Sequence, residues 1–199
     1  MAEIDYYYDF GSPNAYVAHK VLPGIAAEAG VTLNYKPILL GGLFKITGNQ
    51  PPMVAFANIS GKTAHMQQQM ARFLKRYQIP FNWNPNFPVM TTSLMRGAMC
   101  AQGKDWEAKY IDEMYTAVWH DQLKMDDPSV IVQRLETGGL PAKEIMEAAQ
   151  SDDVKKGLFA ATEAAKDRGA FGSPAMFVGK EQFFGKDSLD DLAWYLTTV

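Results

Sequence analysis

Hydrophobic positions fall into three blocks along the chain, and the first block predicts a strand, a helix and a second strand. Residues 4–10 are rich in β-branched and aromatic residues without strict alternation, as expected for a strand covered on both faces in the centre of a sheet. A Gly-Ser-Pro sequence at 11–13 begins a predicted helix over 13–29, because Ser is a favoured N-cap and Pro suits the first helical turn. Alternation with period two over 31–35 predicts the second strand, and this order implies that the two strands pair in parallel.

The second block, residues 41–149, has hydrophobic positions at helical spacing and no convincing strand. Four stretches predict helices: 66–77, 93–102, 106–119 and 129–136. Between the first two of them, the segment 77–88 is rich in Pro and Asn and predicts a loop. We therefore expect a helical region of more than 100 residues, inserted after the opening strand–helix–strand unit.

The third block returns to mixed structure. A helix is predicted over 152–168, followed by a short apolar strand at 175–178. Residues 182–184 are its predicted hairpin partner, with the turn at 179–180. A last helix, apolar on one face, is predicted to start near Asp187, so that the order at the end of the chain is helix, strand, strand, helix.

Composition and charge narrow the class of protein. A chain of 199 residues with 47% hydrophobic and 21% charged residues can bury a core without disulfides or a metal. The net charge is -3 and no basic stretch is long enough for a nucleic-acid footprint, so we expect no nucleic-acid partner. The first residues lack the features of a signal peptide, and no run approaches about 18 apolar residues. We expect no membrane contact and a cytoplasmic location.

Cysteine and histidine usage excludes several kinds of site. The single cysteine, Cys100, rules out an internal disulfide, a Cys-X-X-Cys redox pair and a thiolate zinc site. The three histidines, His19, His65 and His120, are too scattered for a His-X-X-X-His metal motif. We therefore predict no metal site, and we interpret Cys100 and His19 as buried helix positions.

Two motifs give the order of elements a more specific meaning. Ser12 and Ala15 stand at the start of the first helix, and the sequence Gly-Ser-Pro at 172–174 directly precedes the third strand. Together with the order of elements, they resemble the DsbA-like thioredoxin fold, in which a reactive residue follows the first strand and a cis-proline precedes the third. Redox members of that superfamily have cysteine at both helix positions. This chain has Ser and Ala there, so disulfide exchange is chemically excluded.

The resemblance extends over nearly the whole chain. Five stretches look like the kappa-class glutathione transferases and, most closely, the 2-hydroxychromene-2-carboxylate isomerases: 8–13, 48–52, 61–62, 172–174 and 184–187. The family implies an α/β, thioredoxin-like fold (βαβ…αββα) with a large all-helical insertion. We expect residues 1–40 and 150–199 to form the thioredoxin-like domain and residues 41–149 to form the inserted helical domain. A homodimer is expected from the family alone.

The resemblance implies glutathione as the cofactor and Ser12 as the catalytic residue. A helix N-terminus offers free N–H groups and the positive end of the helix dipole to an anion. A glutathione thiolate held there would also accept a hydrogen bond from the Ser12 hydroxyl, and such a bond to a charged acceptor is worth about 1.5–3 kcal/mol. The structural alternative is that Ser12 is an N-cap. No His-Asp pair can be placed beside it, which argues against a serine nucleophile.

The same resemblance implies six residues that bind glutathione: Asn49, Lys62, Ser173, Pro174, Asp187 and Ser188. The residue before the cis-proline is implied to pair with the tripeptide through its main chain, an interaction available to any extended peptide. The family also places an Asp on the amino group of the ligand and a lysine on a carboxylate. Structural alternatives are a turn for Asn49, a surface position for Lys62 and a helix N-cap for Asp187. Lys186 and His65 depart from the family pattern; the sequence leaves open whether Lys186 contacts a carboxylate or points to water.

Four residues of the predicted loop are candidates for an apolar substrate pocket: Trp83, Asn84, Phe87 and Pro88. The favoured hypothesis is a glutathione-dependent isomerase that interconverts 2-hydroxychromene-2-carboxylate and trans-o-hydroxybenzylidenepyruvate in the degradation of naphthalene-type aromatic compounds. A second hypothesis is a kappa-class transferase that conjugates glutathione to electrophiles. A third is a thioredoxin-fold binding module without enzymatic activity.

Overall fold

The three predicted blocks are present in the computed structural model, which describes residues 2–199. The first block contains β1 (Glu3–Tyr8), α1 (Pro13–Ala29) and β2 (Thr32–Pro37). Seven helices form the second block: α2 (Leu40–Thr47), α3 (Pro52–Ala55), α4 (Lys62–Tyr77), α5 (Thr92–Ala101), α6 (Glu107–Trp119), α7 (Pro128–Thr137) and α8 (Ala142–Ala148). The third contains α9 (Asp152–Asp167), β3 (Ala175–Val178), β4 (Glu181–Phe184), a 3-10 turn (Lys186–Ser188) and α10 (Leu189–Leu196).

The described strands form one mixed sheet in the order β2-β1-β3-β4. β1 pairs in parallel with β2 and antiparallel with β3, so that Tyr6 lies between Tyr35 and Met176. β4 completes an antiparallel hairpin with β3. The predicted α/β class, the parallel first pair and the central place of β1 are confirmed.

The first helix begins and ends at the residues that the sequence indicates. The Ser12 hydroxyl accepts a hydrogen bond from the Ala15 N–H at 3.1 Å and caps the helix, with Pro13 in the first turn. Gly30 ends the helix at φ 66°, in the left-handed region that glycine adopts without a steric penalty. The helix therefore has a fixed start, with four residues between the end of β1 and Pro13.

The hydrophobic core joins the sheet to the inserted helices. Phe10, just beyond β1, packs edge to face on Tyr115 of α6 with ring centroids 4.8 Å apart. Tyr6 of β1 is fully buried, and its hydroxyl lies 3.1 Å from that of Tyr115. The residues between β1 and α1 are consequently held by both parts of the chain.

Several sequence predictions are wrong at the level of single elements. The short helices α2, α3 and α8 were not predicted; Gly41 and Gly42 in α2 lower helix propensity and hide its pattern. The last α-helix begins at Leu189, and Asp187 lies inside the preceding 3-10 turn, so Asp187 is not its N-cap. Cys100 is half-buried and not fully buried as predicted.

Within residues 2–199, no helix combines the length and the hydrophobicity that a membrane crossing requires.

Candidate active site

Ser12 lies where the carboxyl end of β1 meets the N-terminus of α1, and only 4% of its surface is exposed. Its hydroxyl donates a hydrogen bond to the main-chain oxygen of Ser173 at 2.9 Å and accepts the cap bond from Ala15. A hydroxyl has one proton to donate. That proton is thus directed at the segment before β3, across the interior of the site.

The segment that receives this hydrogen bond contains the predicted cis-proline. The peptide bond between Ser173 and Pro174 is cis, as the resemblance to the DsbA-like fold implied. Within residues 2–199, no hydrogen bond engages the N–H of Ser173. The carbonyl of Pro174 accepts from the N–H of Gly185 at 2.9 Å, which brings the 3-10 turn beside this segment.

Asp9 fixes the turn that carries Ser12, although sequence reasoning did not single it out. One carboxylate oxygen accepts from the Gly11 N–H at 2.8 Å and from the Thr91 hydroxyl at 2.6 Å, and the other accepts from the Leu40 N–H at 2.7 Å. Burial raises the pKa of Asp9, and these three hydrogen bonds oppose the rise. The available signal was a carboxylate between two aromatic residues, Tyr8 and Phe10, directly before the Gly-Ser-Pro sequence.

The Lys186–Asp187 pair lies at the other side of the cis-proline segment. Lys186 is only 4% exposed, so it does not point to water, and its ammonium donates to an oxygen of Asp187. The same ammonium lies 5.3 Å from the centre of the Phe73 ring. The side chain of Asp187 is 63% exposed. Ser188 donates its hydroxyl to the carbonyl of Gly185 at 3.0 Å.

Asn49 is tied to the segment before the cis-proline, whereas Lys62 is not tied to it. The Asn49 amide donates to the carbonyl of Phe171 at 2.7 Å. Lys62 begins α4, is exposed, and places its ammonium 5.1 Å from the centre of the Phe56 ring. In the described residues it makes no ion pair, and no contact joins it to Ser12. His65 is also exposed on α4.

The predicted substrate loop forms an aromatic cluster near Ser12. Trp83 and Phe87 both pack against Trp119, with ring centroids 6.2 and 5.7 Å away. The Trp119 indole donates to the carbonyl of Phe10 at 2.7 Å, two residues before Ser12. Trp83 is 49% exposed. The cluster therefore provides an exposed apolar surface attached to the β1–α1 turn.

The other two candidates in this loop, Asn84 and Pro88, shape the loop itself. Asn84 is buried and donates to the carbonyls of Val118 and Leu123, both at 2.9 Å, so its amide holds the loop against the end of α6. Pro88 follows Phe87 through a second cis peptide bond. Contact of either residue with a substrate stays a prediction.

Concave surfaces elsewhere do not include Ser12. One of about 660 Å³ lies beside α8 and includes Glu144, and one of about 450 Å³ lies between α1, β2 and α6 and includes His19 and Tyr35. The chemistry of Ser12 and the cis-proline segment therefore indicates the site better than the shape of the surface does. No group of three potential metal ligands is found in residues 2–199.

The arrangement is suited to binding an anion beside a short extended peptide. The N-terminus of a 17-residue helix and a buried hydroxyl converge on one place, where they favour negative charge. Ser173 presents a main-chain N–H and C=O, the donor and acceptor that an antiparallel peptide requires. In the described chain no imidazole contacts the Ser12 oxygen, so general-base activation of Ser12 has no geometric support.

Comparisons with known proteins show which family and fold this chain is similar to. A family model described as a DSBA-like thioredoxin domain matches residues 3–197. A 2-hydroxychromene-2-carboxylate isomerase from Pseudomonas sp. (strain C18) is 30% identical over 94% of this chain and 86% of its own length. Glutathione S-transferase kappa 1 from Caenorhabditis elegans is 29% identical over 94% of this chain and 87% of its own. A solved structure of a 2-hydroxychromene-2-carboxylate isomerase matches with a TM-score of 0.85 at 26% identity, covering 98% of this chain and 94% of its own. The predicted fold is confirmed.

Proposed function

We propose a function from the premise that this chain belongs to the DSBA-like thioredoxin domain family, and within it to the group of 2-hydroxychromene-2-carboxylate isomerases and kappa-class glutathione transferases. In this proposal the protein is a glutathione-dependent isomerase. It interconverts 2-hydroxychromene-2-carboxylate and trans-o-hydroxybenzylidenepyruvate. A homodimer and a cytoplasmic location stay predictions.

The observation that carries the proposal is the Ser12 hydroxyl at a helix N-terminus, 2.9 Å from the main chain of Ser173. The residues present fit glutathione, because the N–H of Ser173 has no partner in the described chain and can donate to a peptide carbonyl. The Ser173 carbonyl can accept from a peptide N–H once the Ser12 hydroxyl turns away. A thiol-bearing peptide supplies both the new acceptor for Ser12 and the new donor for Ser173.

Bound glutathione would supply a thiolate that adds to the conjugated ketone of the ring-opened substrate and leaves again after bond rotation, so that no glutathione is consumed. Ser12 and the helix N-terminus hold that sulfur in its anionic form. A charged hydrogen bond worth about 1.5–3 kcal/mol lowers a thiol pKa by about one to two units. For a thiol near 8.5, a shift of about two units raises the thiolate fraction at pH 7 from about 3% to about 75%.

The remaining residues orient the reactants. In the proposal Ser173 and Pro174 align the tripeptide, Asn49 and Ser188 support the segments on either side, and Asp187 holds the amino end. The aromatic cluster of Trp83 and its neighbours covers the ring of the substrate. These roles are proposals for each residue.

The test is turnover of 2-hydroxychromene-2-carboxylate followed by nuclear magnetic resonance, with glutathione at less than one equivalent. We expect complete equilibration of substrate and product with the glutathione signals intact. No conversion with glutathione present, or conversion that stops once the added glutathione has been consumed, would contradict the isomerase.

A kappa-class transferase is the second candidate, because a transferase of that name is 29% identical over 94% of this chain. It predicts stoichiometric loss of glutathione in the same experiment. A binding module without enzymatic activity predicts no tight glutathione binding. A rise in melting temperature with millimolar glutathione argues against that module, since a ligand of the folded state stabilises it by RT ln(1 + [L]/Kd).

A further inference from the structure

Thr91 is a buried hydroxyl group that contacts the turn carrying Ser12 but has no role in the proposed chemistry. It is 7% exposed and stands directly before α5, at the N-cap position. A threonine in that position usually accepts a hydrogen bond from an N–H of the first helical turn. Thr91 makes no such bond, and its backbone, at φ -92° and ψ 4°, lacks the extended conformation that capping residues adopt. Its hydroxyl therefore does not serve the helix that it precedes.

The hydroxyl of Thr91 is directed at Asp9 instead. Because a carboxylate only accepts, the Thr91 proton is donated to the Asp9 oxygen, which lies 2.6 Å away. The same oxygen accepts from the Gly11 N–H at 2.8 Å, and the other oxygen accepts from the Leu40 N–H. In the described chain, Thr91 is thus the side-chain donor to this carboxylate, and the other two donors are main-chain N–H groups. Thr91 holds the oxygen that also holds Gly11.

Gly11 and Ser12 lie tightly against the Thr91–Asp9 pair. A Cβ added at Gly11 would lie 3.3 Å from the Asp9 oxygen and 3.4 Å from the Thr91 methyl group. The Ser12 N–H donates to the main-chain oxygen of Asp9 at 3.0 Å. The side chain of Asp9 therefore holds residue 11, and its main chain holds residue 12. The place of the Ser12 hydroxyl consequently depends on how Asp9 is held.

A second contact from the same face of α5 supports this arrangement. Met95 lies one helical turn after Thr91, and its sulfur accepts from the Phe10 N–H at 3.4 Å. Residues 91 and 95 thus hold the consecutive residues 9 and 10. The helix α5 begins four residues after Pro88, at the end of the loop that contains the aromatic cluster. The inserted helices therefore hold the turn that carries Ser12.

We propose that Thr91 is a positioning residue for the thiolate: its hydroxyl holds Asp9 on the Gly11 N–H and so keeps the Ser12 hydroxyl in place for the bound sulfur. The inference rests on the proposed function, which brings glutathione to Ser12. Valine at position 91 would keep the size of the side chain but place a methyl group against the carboxylate. The carboxylate would turn away from that methyl group and release Gly11. The Ser12 hydroxyl would then stabilise the sulfur anion less well.

Binding of glutathione and of S-methylglutathione to Thr91→Val and wild type, measured by titration calorimetry, tests the inference without turnover. With its pKa lowered to about 6.5, the bound thiol of wild type is anionic at about pH 8 and neutral at about pH 5.5. Misplacement of Ser12 should raise that pKa by about half to one unit, a part of what the whole hydrogen bond supplies. Glutathione should therefore bind the variant about three to ten times more weakly at pH 8, and as tightly as wild type at pH 5.5.

S-methylglutathione separates positioning from a general loss of structure, because it has no thiol to ionise. It should bind wild type and Thr91→Val equally at both pH values. A variant with a distorted cleft would instead bind both ligands more weakly at both pH values.

Further variants assign the effect to the hydroxyl. Thr91→Ser keeps it and should have the affinities of wild type. Tyr110→Phe is the matched control, because Tyr110 is 1% exposed and its hydroxyl donates to the carbonyl of Leu94 in α5 at 2.8 Å. This control loses a buried hydrogen bond to the same helix, leaves the Asp9 carboxylate with its donors, and should keep the pH dependence of wild type. Thr91→Ala gives the same comparison with a smaller side chain if near-ultraviolet circular dichroism shows that Thr91→Val is not folded.

The outcomes separate this inference from the proposed function. If Thr91→Val binds glutathione with the pH dependence of wild type, its hydroxyl does not position Ser12 and the inference is wrong. Equal weakening of glutathione and S-methylglutathione binding also overturns it, since Thr91 would then only hold the cleft together. Failure of wild type to bind glutathione at either pH overturns the proposed function itself.

Discussion

At the scale of single residues, Ser12 combines two roles that a sequence alone presents as alternatives. Its oxygen caps α1 by accepting from Ala15, while its proton is directed at the carbonyl of Ser173. The two roles use different parts of the same hydroxyl, because the cap needs a lone pair and a thiolate needs the hydrogen. A helix cap and a catalytic donor are therefore compatible in this position.

Replacing Ser12 by Ala should remove both roles at once. We expect turnover at neutral pH to fall strongly. Without the hydroxyl, the pKa of the bound glutathione thiol rises by about one to two units, so less of it is thiolate. Loss of the cap should lower the free energy of unfolding by about 1 kcal/mol. Ultraviolet absorbance of the thiolate across a pH series measures the first effect, and urea unfolding the second.

Ser151→Ala is the matched control for this change. Ser151 caps α9 by accepting from the Val154 N–H at 3.3 Å, at a place where the residue is exposed. It should lose a comparable stability of about 1 kcal/mol and retain turnover. If Ser12→Ala retains full activity at neutral pH, the role proposed for Ser12 is wrong.

At the scale of elements, a buried histidine joins α1 to β2 and α6. The ring of His19 contacts the Tyr35 hydroxyl at 2.7 Å and the Asp112 carboxylate at 3.3 Å, and it stacks on Tyr115 at 5.0 Å. Since a carboxylate only accepts, the neutral ring donates to Asp112 and accepts from Tyr35. The ammonium of Lys20 pairs with the same carboxylate. The predicted buried position of His19 is confirmed, and its role is structural.

This contact predicts a dependence of stability on pH. Burial lowers the pKa of His19 below its ordinary value of 6.5, in opposition to the hydrogen bond that the ring donates to Asp112. As the pH falls, His19 therefore binds a proton in the unfolded chain before it does so in the folded chain. Its contribution to stability is complete above about pH 6.5 and is lost as the pH falls through the lower folded pKa. The measurement is the free energy of unfolding in urea at pH 7.5 and 5.5, about one unit on either side of the ordinary pKa. The loss of stability on acidification should be smaller in His19→Gln than in wild type.

His65→Gln serves as the control, because His65 is exposed on α4. It should show the same loss of stability on acidification as wild type. An equal loss in His19→Gln and wild type would show that other groups cause the pH dependence.

Asp9 is the second connection between elements, since it joins the β1–α1 turn to the starts of α2 and α5. In Asp9→Asn an amide N–H faces one of the three donors that the carboxylate satisfies, and a buried donor without a partner costs about 1–3 kcal/mol. We expect a loss of that size in urea unfolding together with lower glutathione affinity. Asp126→Asn, at an exposed carboxylate, should change neither. Unchanged stability in Asp9→Asn would contradict this role.

At the scale of the whole molecule, the sheet and the inserted helices share one core. Tyr6 and Phe10 from the sheet side are in contact with Tyr115, and Trp119 bonds to the main chain of Phe10. Neither part buries its apolar surface without the other. The division into domains at residues 41–149 stays a prediction, but the core predicts that the two parts unfold together.

Cooperative unfolding can be checked with two signals. Three tryptophans lie in the inserted region and Trp194 lies in α10, so fluorescence reports on both parts, while far-ultraviolet circular dichroism follows the helices. We expect the two transitions in urea to coincide, with one midpoint. Two separate midpoints would show that the inserted helices form an independent folding unit.

The sequence by itself determined the order of most elements. Hydrophobic periodicity and the Gly-Ser-Pro motifs act locally, because caps, turns and amphipathic faces depend on neighbouring residues. Ser12 as the cap of α1 was for this reason predictable, whereas the cis bond before Pro174 was expected from the resemblance to the DsbA-like fold. Short helices such as α2 were missed because two glycines interrupt the pattern.

Only the tertiary structure decided which polar groups meet. Asp9 and Thr91 are 82 residues apart, and Ser12 and Ser173 are 161 residues apart, so no local pattern relates them. The burial of Lys186 also depends on Phe73 of α4, which covers its ammonium. A side chain's neighbours across the fold set its burial and its hydrogen-bond partners, and these determine what a lysine, a carboxylate or a hydroxyl can do in the site.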